Sequence, residues 1–173
     1  MKKILFSLAV ILGGILSAQG TINIFNYTTS FNLSNSLVAY NSTSPGCYPS
    51  ISGTNHPVPV PSGGSVQYTN FNTTPADYPP INTWTIYSAT GAPSVQTPFS
   101  PILSVLSGTT TWQLNKFSLS DPNGAPVPYG GATIGVIGCG TPLVSTISPT
   151  PAIPYPFQAF WFIAGGETYF IVQ

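Results

Sequence analysis

The stretch 158–172, with the sequence QAFWFIAGGETYFIV, decides the fold that the sequence predicts. Two runs of branched and aromatic residues, 158–164 and 167–172, flank Gly165 and Gly166, and such residues favour β-strands. A two-residue glycine connection is typical of a type I′ or II′ β-hairpin, because glycine adopts positive φ angles without steric cost. Both runs are apolar rather than alternating, which favours a central position in a sheet. We therefore predict an antiparallel hairpin here.

Further runs of branched and aromatic residues precede the hairpin, separated by clusters of Gly, Pro, Asn and Ser. These predicted strands cover residues 21–27, 36–41, 65–71, 82–88, 110–119 and 132–138. In the fifth run the apolar phase places Trp112 and Leu114 on one side and then slips by one residue to Phe117, as in a β-bulge. No candidate helix of normal length interrupts them. The sequence thus predicts an all-β fold: a single antiparallel β-sandwich domain over residues 19–173, jelly-roll or immunoglobulin-like, with about eight strands.

The N-terminus carries the three parts of a secretory signal peptide. Lys2 and Lys3 form a positive region, residues 4–16 form an apolar run, and residues 17–19 (SAQ) offer a small residue for cleavage. The run is shorter than the ~20 residues that a membrane-spanning helix needs. The segment resembles bacterial signal peptides that end in a similar Ser-Ala-Gln. Residues 1–18 are therefore predicted to be a removable signal, with no transmembrane segment in the mature chain.

The exact cleavage bond has two candidates. A cut after Ala18 leaves Leu16 three residues before the bond, whereas a cut after Gly20 places the small Ala18 there. Both candidate bonds are consistent with a signal that directs export of the chain and is then removed. We expect the protein in the extracellular space or on the outer cell surface, with the periplasm as the alternative.

The sequence contains two cysteines, Cys47 and Cys139, and the predicted export bears on their oxidation state. An oxidising compartment favours a disulfide between such a pair. The alternative, a nucleophilic cysteine, requires a histidine partner, and His56 is the one histidine in the sequence. We predict a structural disulfide that closes a loop of about 93 residues.

The chain is almost free of charge. Its 173 residues include three basic and three acidic side chains and no arginine, and Lys116 is the one basic residue outside the predicted signal. Nucleic-acid binding needs clusters of Lys and Arg that neutralise phosphates, so this class of partner is excluded. A hydrophobic fraction of 42% and a mean hydropathy of +0.25 also argue against a disordered chain.

Candidates for acid–base chemistry are correspondingly few. His56 and Asp77 lie in proline-containing loops, and Glu167 begins the last predicted strand. Asp121 opens Asp-Pro-Asn-Gly, a favourable type I turn, which explains this residue structurally. None of the four has a partner at a spacing typical of a glycosidase pair, a catalytic triad or a calcium site. We predict no catalytic residue, no metal ligand and no cofactor.

Two proline-rich stretches, residues 57–61 (PVPVP) and 125–129 (APVPY), contain Pro-Val-Pro, and a pair of glycines follows each stretch. One interpretation is a duplicated unit or a polyproline segment that binds a partner. The other is that proline stiffens loops and keeps sheet edges from pairing. The second is favoured, because a chain with so few lysines lacks the usual way to protect its edges.

The remaining side chains are aromatic residues mixed with Asn, Ser, Thr and Gln. Such a surface forms hydrogen bonds without ionic steering and stacks on apolar faces of sugars or other ligands. We expect a secreted, non-enzymatic binding or adhesion domain for a neutral partner, either a polysaccharide or a cell-surface component. The alternative is a self-associating structural protein of an extracellular matrix or surface layer, because little net charge opposes association. A small secreted hydrolase is the weakest hypothesis.

Overall fold

The computed structural model describes residues 20–150 and 154–173. The predicted signal peptide, residues 1–18, and the candidate cleavage bond after Ala18 lie outside the described residues. Strands make up 45% of the structure, and the two main sheets pack together as a β-sandwich. The predicted all-β sandwich is confirmed.

The first sheet contains five strands and is built around the C-terminal hairpin. Its members are β1 (Ile22–Asn26), β4 (Ser65–Tyr68), β11 (Thr146–Ile147), β12 (Ala159–Ala164) and β13 (Glu167–Val172). Their order is β11-β12-β13-β1-β4, so the hairpin β12–β13 is internal as expected. All neighbours are antiparallel except β1 and β13, which pair in parallel. Gly165 and Gly166 both have positive φ angles, the requirement of a type I′ turn.

The second sheet contains six antiparallel strands in the order β6-β5-β3-β2-β7-β8. Its members are β2 (Asn32–Tyr40), β3 (Ser50–Thr54), β5 (Trp84–Tyr87), β6 (Ser94–Gln96), β7 (Thr111–Ser120) and β8 (Pro126–Gly135). A short helix, α1 (Pro101–Ser107), connects β6 to β7. The strands β9 (Ile137–Gly138) and β10 (Thr141–Pro142) form a separate two-stranded ribbon.

The core between the sheets is rich in aromatic rings. Phe71 lies 4.8 Å from the ring of Trp84 and 5.5 Å from that of Trp112, measured between centroids. All three tryptophans are buried, including Trp161 on β12. Large buried rings dominate core energetics, so this cluster accounts for much of the stability of a chain with few charged residues. The exposed aromatic residues of this protein are therefore tyrosines and phenylalanines.

The β-bulge predicted in β7 exists, but it lies earlier than the sequence suggested. Val38 pairs with Leu114 whereas the next residue, Ala39, pairs with Trp112, which leaves Gln113 as the extra residue. The bulge thus separates Trp112 from Leu114. Trp112 packs in the main core and Leu114 in a second cluster beside the disulfide, so the prediction that they share a side was wrong.

Five elements were not predicted from the sequence: the strands β3, β6, β10 and β11 and the helix α1. The five residues of β3, SISGT, include one large apolar side chain, Ile51. Gly53 is required there because a Cβ atom at this position would overlap the ring of Trp84, its partner on β5. Helix α1 spans seven residues, too few for a helical period to be recognised, and Leu103 is its one fully buried side chain.

The predicted disulfide is present. Cys47 ends a short 3-10 turn after β2, and Cys139 lies in the turn between β9 and β10, with 5.4 Å between their Cα atoms. The backbone N–H of Cys139 donates a hydrogen bond of 3.1 Å to the Oη of Tyr40. The disulfide therefore joins the β9–β10 ribbon to the end of β2, outside the main core.

Candidate functional site

The outer face of the five-stranded sheet carries a row of aromatic rings. Alternation along β12 and β13 buries Trp161 and Phe170 inside, so their neighbours in sequence point outward. We call the outward rings the aromatic strip; its members are Phe25, Tyr27, Phe160, Phe162 and Tyr169. The cross-strand register brings these rings together in space.

Two ring pairs define the geometry of the aromatic strip. Phe162 and Tyr169 are direct cross-strand partners whose centroids lie 5.1 Å apart, with an angle of 6° between the ring planes. Phe25 and Tyr27 stack at 5.6 Å and 24°. Phe162 is 43% exposed and Tyr27 is 54% exposed. Rings held by each other and by a sheet lose little freedom when a ligand covers them.

A polar row, formed by Gln67, Asn23 and Glu167, crosses the sheet beside the aromatic strip. Asn23 Nδ2 donates to Glu167 Oε2 at 2.9 Å, and Gln67 Nε2 donates to Asn23 Oδ1 at 2.7 Å. Tyr169 Oη, at the edge of the aromatic strip, donates to the same Glu167 Oε2 at 3.1 Å. This hydrogen bond, together with partial burial and the negative charge of Glu167, raises the pKa of Tyr169. The polar row is thus held in a fixed orientation.

The strip and the row combine apolar ring surface with oriented hydrogen-bonding groups. Glu167 was considered in the sequence as a candidate acid, but its partners here are neutral donors. The five rings were not assigned by sequence, because uninterrupted apolar runs favour burial on both faces of a sheet. The period-two spacing of Phe160 and Phe162, matched by Tyr169 and Ile171 across the hairpin, is the sequence signal from which a shared face could have been predicted.

A second concave surface lies on the outer face of the other sheet. We call it the proline-walled groove, and its volume is about 510 Å³. Its floor is Asn32, Ser34, Ser118 and Ser120, from β2 and β7, and its walls include His56, Pro57, Pro59, Pro122, Asn123 and Pro126. Both Pro-Val-Pro segments therefore contribute to one groove.

The other candidate residues of the sequence have local structural roles. Asp121 Oδ1 accepts hydrogen bonds from the backbone N–H groups of Asn123 and Ala125, at 2.9 and 2.8 Å, as expected for its turn. Asp77 follows a 3-10 turn, and its charge acts on the buried Tyr68. Within residues 20–150 and 154–173, no group of three or more His, Cys, Asp or Glu side chains is arranged to hold a metal ion.

Comparison with known proteins gives no relative: no family model, curated protein or solved structure matches the chain. Among the described residues, no helix is long and apolar enough to cross a membrane. Fold and surface together define a β-sandwich that presents an aromatic strip on one sheet and a neutral groove on the other.

Proposed function

We propose that the protein is an exported, non-enzymatic module that binds a neutral polysaccharide through the aromatic strip and the polar row. The observation that carries this proposal is the set of partly exposed rings on one sheet face, bordered by hydrogen-bonded amide and carboxylate groups. A polysaccharide chain presents apolar C–H faces and hydroxyl groups along its length. In this proposal the aromatic rings cover the C–H faces of the sugars, and the amide and carboxylate groups form hydrogen bonds with the sugar hydroxyls.

The aromatic rings supply the affinity in this proposal. A sugar ring that covers Phe162 or Tyr27 removes apolar surface from water, worth roughly 25 cal/mol per Å². The cross-strand pairing already fixes the rings, so little side-chain entropy is lost.

The polar row supplies the orientation. Both donors to Glu167 converge on Oε2, which leaves Oε1 without a partner among the described residues. A carboxylate oxygen of this kind accepts a hydrogen bond from a sugar hydroxyl, and such charge-assisted bonds contribute about 1.5–3 kcal/mol. Gln67 Oε1 is a second acceptor on the same row. Two acceptors beside a ring surface favour ligands rich in hydroxyl groups.

The charge pattern selects neutral rather than acidic polymers. Glu167 places a negative charge beside the aromatic strip, whereas Lys116 lies on β7 of the other sheet. A uronic-acid or sulfated chain would meet repulsion at the strip and no compensating cation. Neutral glucans, mannans and chitin-like polymers are the favoured class.

Self-association is the second candidate function, and a different surface favours it. Phe99, Ile102 and Val105 follow each other at three-residue intervals around the start of α1, and each is 45% exposed or more. An apolar stripe of this kind promotes contact between copies when little charge opposes it. Sedimentation analysis of the purified chain, with Phe99→Ala as the comparison, tests this candidate separately from polysaccharide binding.

The test of polysaccharide binding uses purified mature protein and defined neutral polymers. We expect retention on microcrystalline cellulose or chitin, or retardation in native gels containing xyloglucan or galactomannan. Phe162→Ala combined with Tyr169→Ala should weaken binding by about ten-fold or more, the effect of losing two ring contacts. Phe99→Ala is the matched control, because it removes an exposed ring outside the strip. Absence of retention on every polymer, or equal retention of the double variant, would contradict the proposal.

A further inference from the structure

The proline-walled groove and the aromatic strip point away from each other. The groove opens on the outer face of the six-stranded sheet, and the strip lies on the outer face of the five-stranded sheet. Packed sheets are about 10 Å apart, and the side chains on their outer faces add to that separation. One extended chain of sugars bound to the strip therefore leaves the groove open.

The floor of the groove is a set of unused hydroxyl groups. Ser34 pairs with Ser118 across β2 and β7, and Asn32 pairs with Ser120 one step further along. Cross-strand partners place their Cβ atoms about 4.5–5.5 Å apart. The three serine hydroxyls make no hydrogen bond to another described residue. The groove thus offers closely spaced donors and acceptors to a ligand.

The walls of the groove are rigid and neutral. The segment that carries Pro57 and Pro59 is fixed to β2 by two backbone hydrogen bonds of 2.8 Å between Leu33 and Val60. On the opposite wall, Asp121 holds the β7–β8 turn through the backbone N–H groups described above. Among the described residues that line the groove, none is Lys, Asp or Glu, and His56 is the one titratable side chain. The carboxylate of Asp121 is engaged by the backbone of its own turn. Rigid walls reduce the entropy that binding costs.

These features select a neutral, hydroxyl-rich ligand of one or two rings. A volume of about 510 Å³ lies within the range of small-ligand sites, roughly 300–1,000 Å³. The serines of the floor match sugar hydroxyls, and the C–H groups of Pro57, Pro59, Pro122 and Pro126 match the apolar faces of a pyranose. The lining itself offers an ionic ligand no counter-charge to offset its lost hydration, because Lys116, two residues from Ser118 on β7, lies outside the lining.

We propose that the proline-walled groove is a second saccharide site and that the protein cross-links neutral polysaccharide chains. This inference rests on the proposed function, because cross-linking requires the aromatic strip to hold the first chain. The groove then captures a chain end or branch of a second polymer. A bivalent molecule of this kind gains avidity from two weak sites without any new contact.

The first experiment tests the groove alone and does not depend on the strip. The wild-type protein is titrated with cellobiose, maltose and N-acetylglucosamine, and backbone amide signals are followed by NMR. We expect shifts at residues 34, 118, 120 and 123 in the wild type. The double variant Ser34→Val, Ser118→Val removes two hydroxyls from the floor of the groove. Valine favours β-strands, so β2 and β7 should be preserved, and the shifts should be abolished. Shifts confined to the strip, or no shift with any sugar, would overturn the groove site.

The second experiment tests cross-linking. Wild-type protein mixed with soluble xyloglucan or galactomannan should increase light scattering, and the groove variant should lower this increase by about ten-fold while still binding the polymer. Phe162→Ala with Tyr169→Ala should lose both signals. Binding without cross-linking by the wild type, or equal scattering by the groove variant, overturns the inference but not the proposed function. Absence of any polymer binding contradicts the proposed function itself. Sedimentation without polymer shows whether protein self-association causes the scattering.

Discussion

Asp77 shows how one carboxylate acts on its surroundings in a chain with so few charges. Its Oδ2 atom is buried without a hydrogen-bond partner, and partial burial raises its pKa above the ordinary value of 3.8. Burial, and secondarily the charge of Asp77, raise the pKa of Tyr68, whose Oη donates to the backbone oxygen of Pro79 at 2.6 Å. The ionised form of Asp77 is therefore unfavourable in the folded protein.

Replacement of Asp77 by Asn is expected to stabilise the protein at neutral pH. A carboxyl whose pKa is raised on folding contributes stability below its unfolded pKa, and this contribution is lost as pH rises through the folded pKa. Above its folded pKa the ionised carboxylate is the disfavoured form, so removal of the charge should raise the free energy of unfolding at pH 7 by up to about 1 kcal/mol, a size typical of partly exposed charges. Urea unfolding at pH 7 and pH 3 measures the effect.

The same comparison at low pH provides the control for this prediction. Near pH 3 the native carboxyl of Asp77 is largely protonated, so Asp77→Asn and the wild type should have nearly equal stability. A variant that is less stable than the wild type at pH 7 would show that Asp77 makes a favourable contact instead. Asp121→Asn, in a turn that an amide oxygen also supports, should change little at either pH.

Among the elements, the hairpin and the disulfide were predictable, because local chemistry decides them. Gly165-Gly166 tolerates the positive φ angles that a tight turn requires, wherever the hairpin lies in the fold. The position of the bulge in β7 was not predictable to the residue. Both Trp112 and Leu114 are apolar, but Trp112 packs in the main core whereas Leu114 packs in the cluster beside the disulfide, on the other side of the sheet. Hydrophobic phase alone does not say which of two clusters a residue joins.

The disulfide between Cys47 and Cys139 should stabilise the fold without affecting the aromatic strip. Closure of a loop with a sequence separation of 92 residues gives about 4.6 kcal/mol in the chain-entropy description. Replacement of both cysteines by Ser should lower the free energy of unfolding by about 2–5 kcal/mol. Retention on polysaccharide should stay near that of the wild type, because the disulfide lies beside the other sheet.

Mass spectrometry of the exported protein checks the disulfide directly. The expected mass corresponds to a mature chain that starts near Gln19 and lacks the two thiol hydrogens. Alkylation of both cysteines without a reductant would contradict the disulfide. A molecule that still begins at Met1 outside the cell would contradict the predicted signal.

For the whole molecule, the scarcity of charge predicts binding that hardly responds to salt. Binding to polyanions weakens steeply with salt because released counterions drive it, whereas ring stacking and neutral hydrogen bonds are not screened. We expect the affinity for neutral polysaccharide to change less than about three-fold between roughly 50 and 500 mM NaCl. Ammonium sulfate should strengthen binding, because it favours burial of apolar surface.

A salt series on the retained polysaccharide measures this response. A ten-fold or greater loss of affinity would mean that Glu167 or Lys116 dominates the binding energy. Glu167→Gln keeps the shape of the polar row and removes its charge, so it separates the two explanations. With the charge removed, a complex whose salt sensitivity comes from Glu167 should lose that sensitivity.

The sequence by itself determined the properties that depend on composition and on neighbours along the chain. The alternation of short apolar runs with turn residues specified an all-β sandwich, and two cysteines left one possible disulfide. The near absence of charge predicts that nucleic acid is not a partner, because phosphate neutralisation depends on the number of Lys and Arg side chains that a chain carries. The turn at Asp121 also followed from four consecutive residues.

Only the tertiary structure decided which side chains share a surface. Phe25 joins Phe162 and Tyr169 because β1 pairs in parallel with the last strand, across almost the whole chain. Ser34 meets Ser118 because β2 lies beside β7. All three tryptophans are buried in the core, so the aromatic strip consists of tyrosine and phenylalanine residues. Strand pairing is a contact between distant segments, and its register depends on the packing of the whole sandwich rather than on any local pattern.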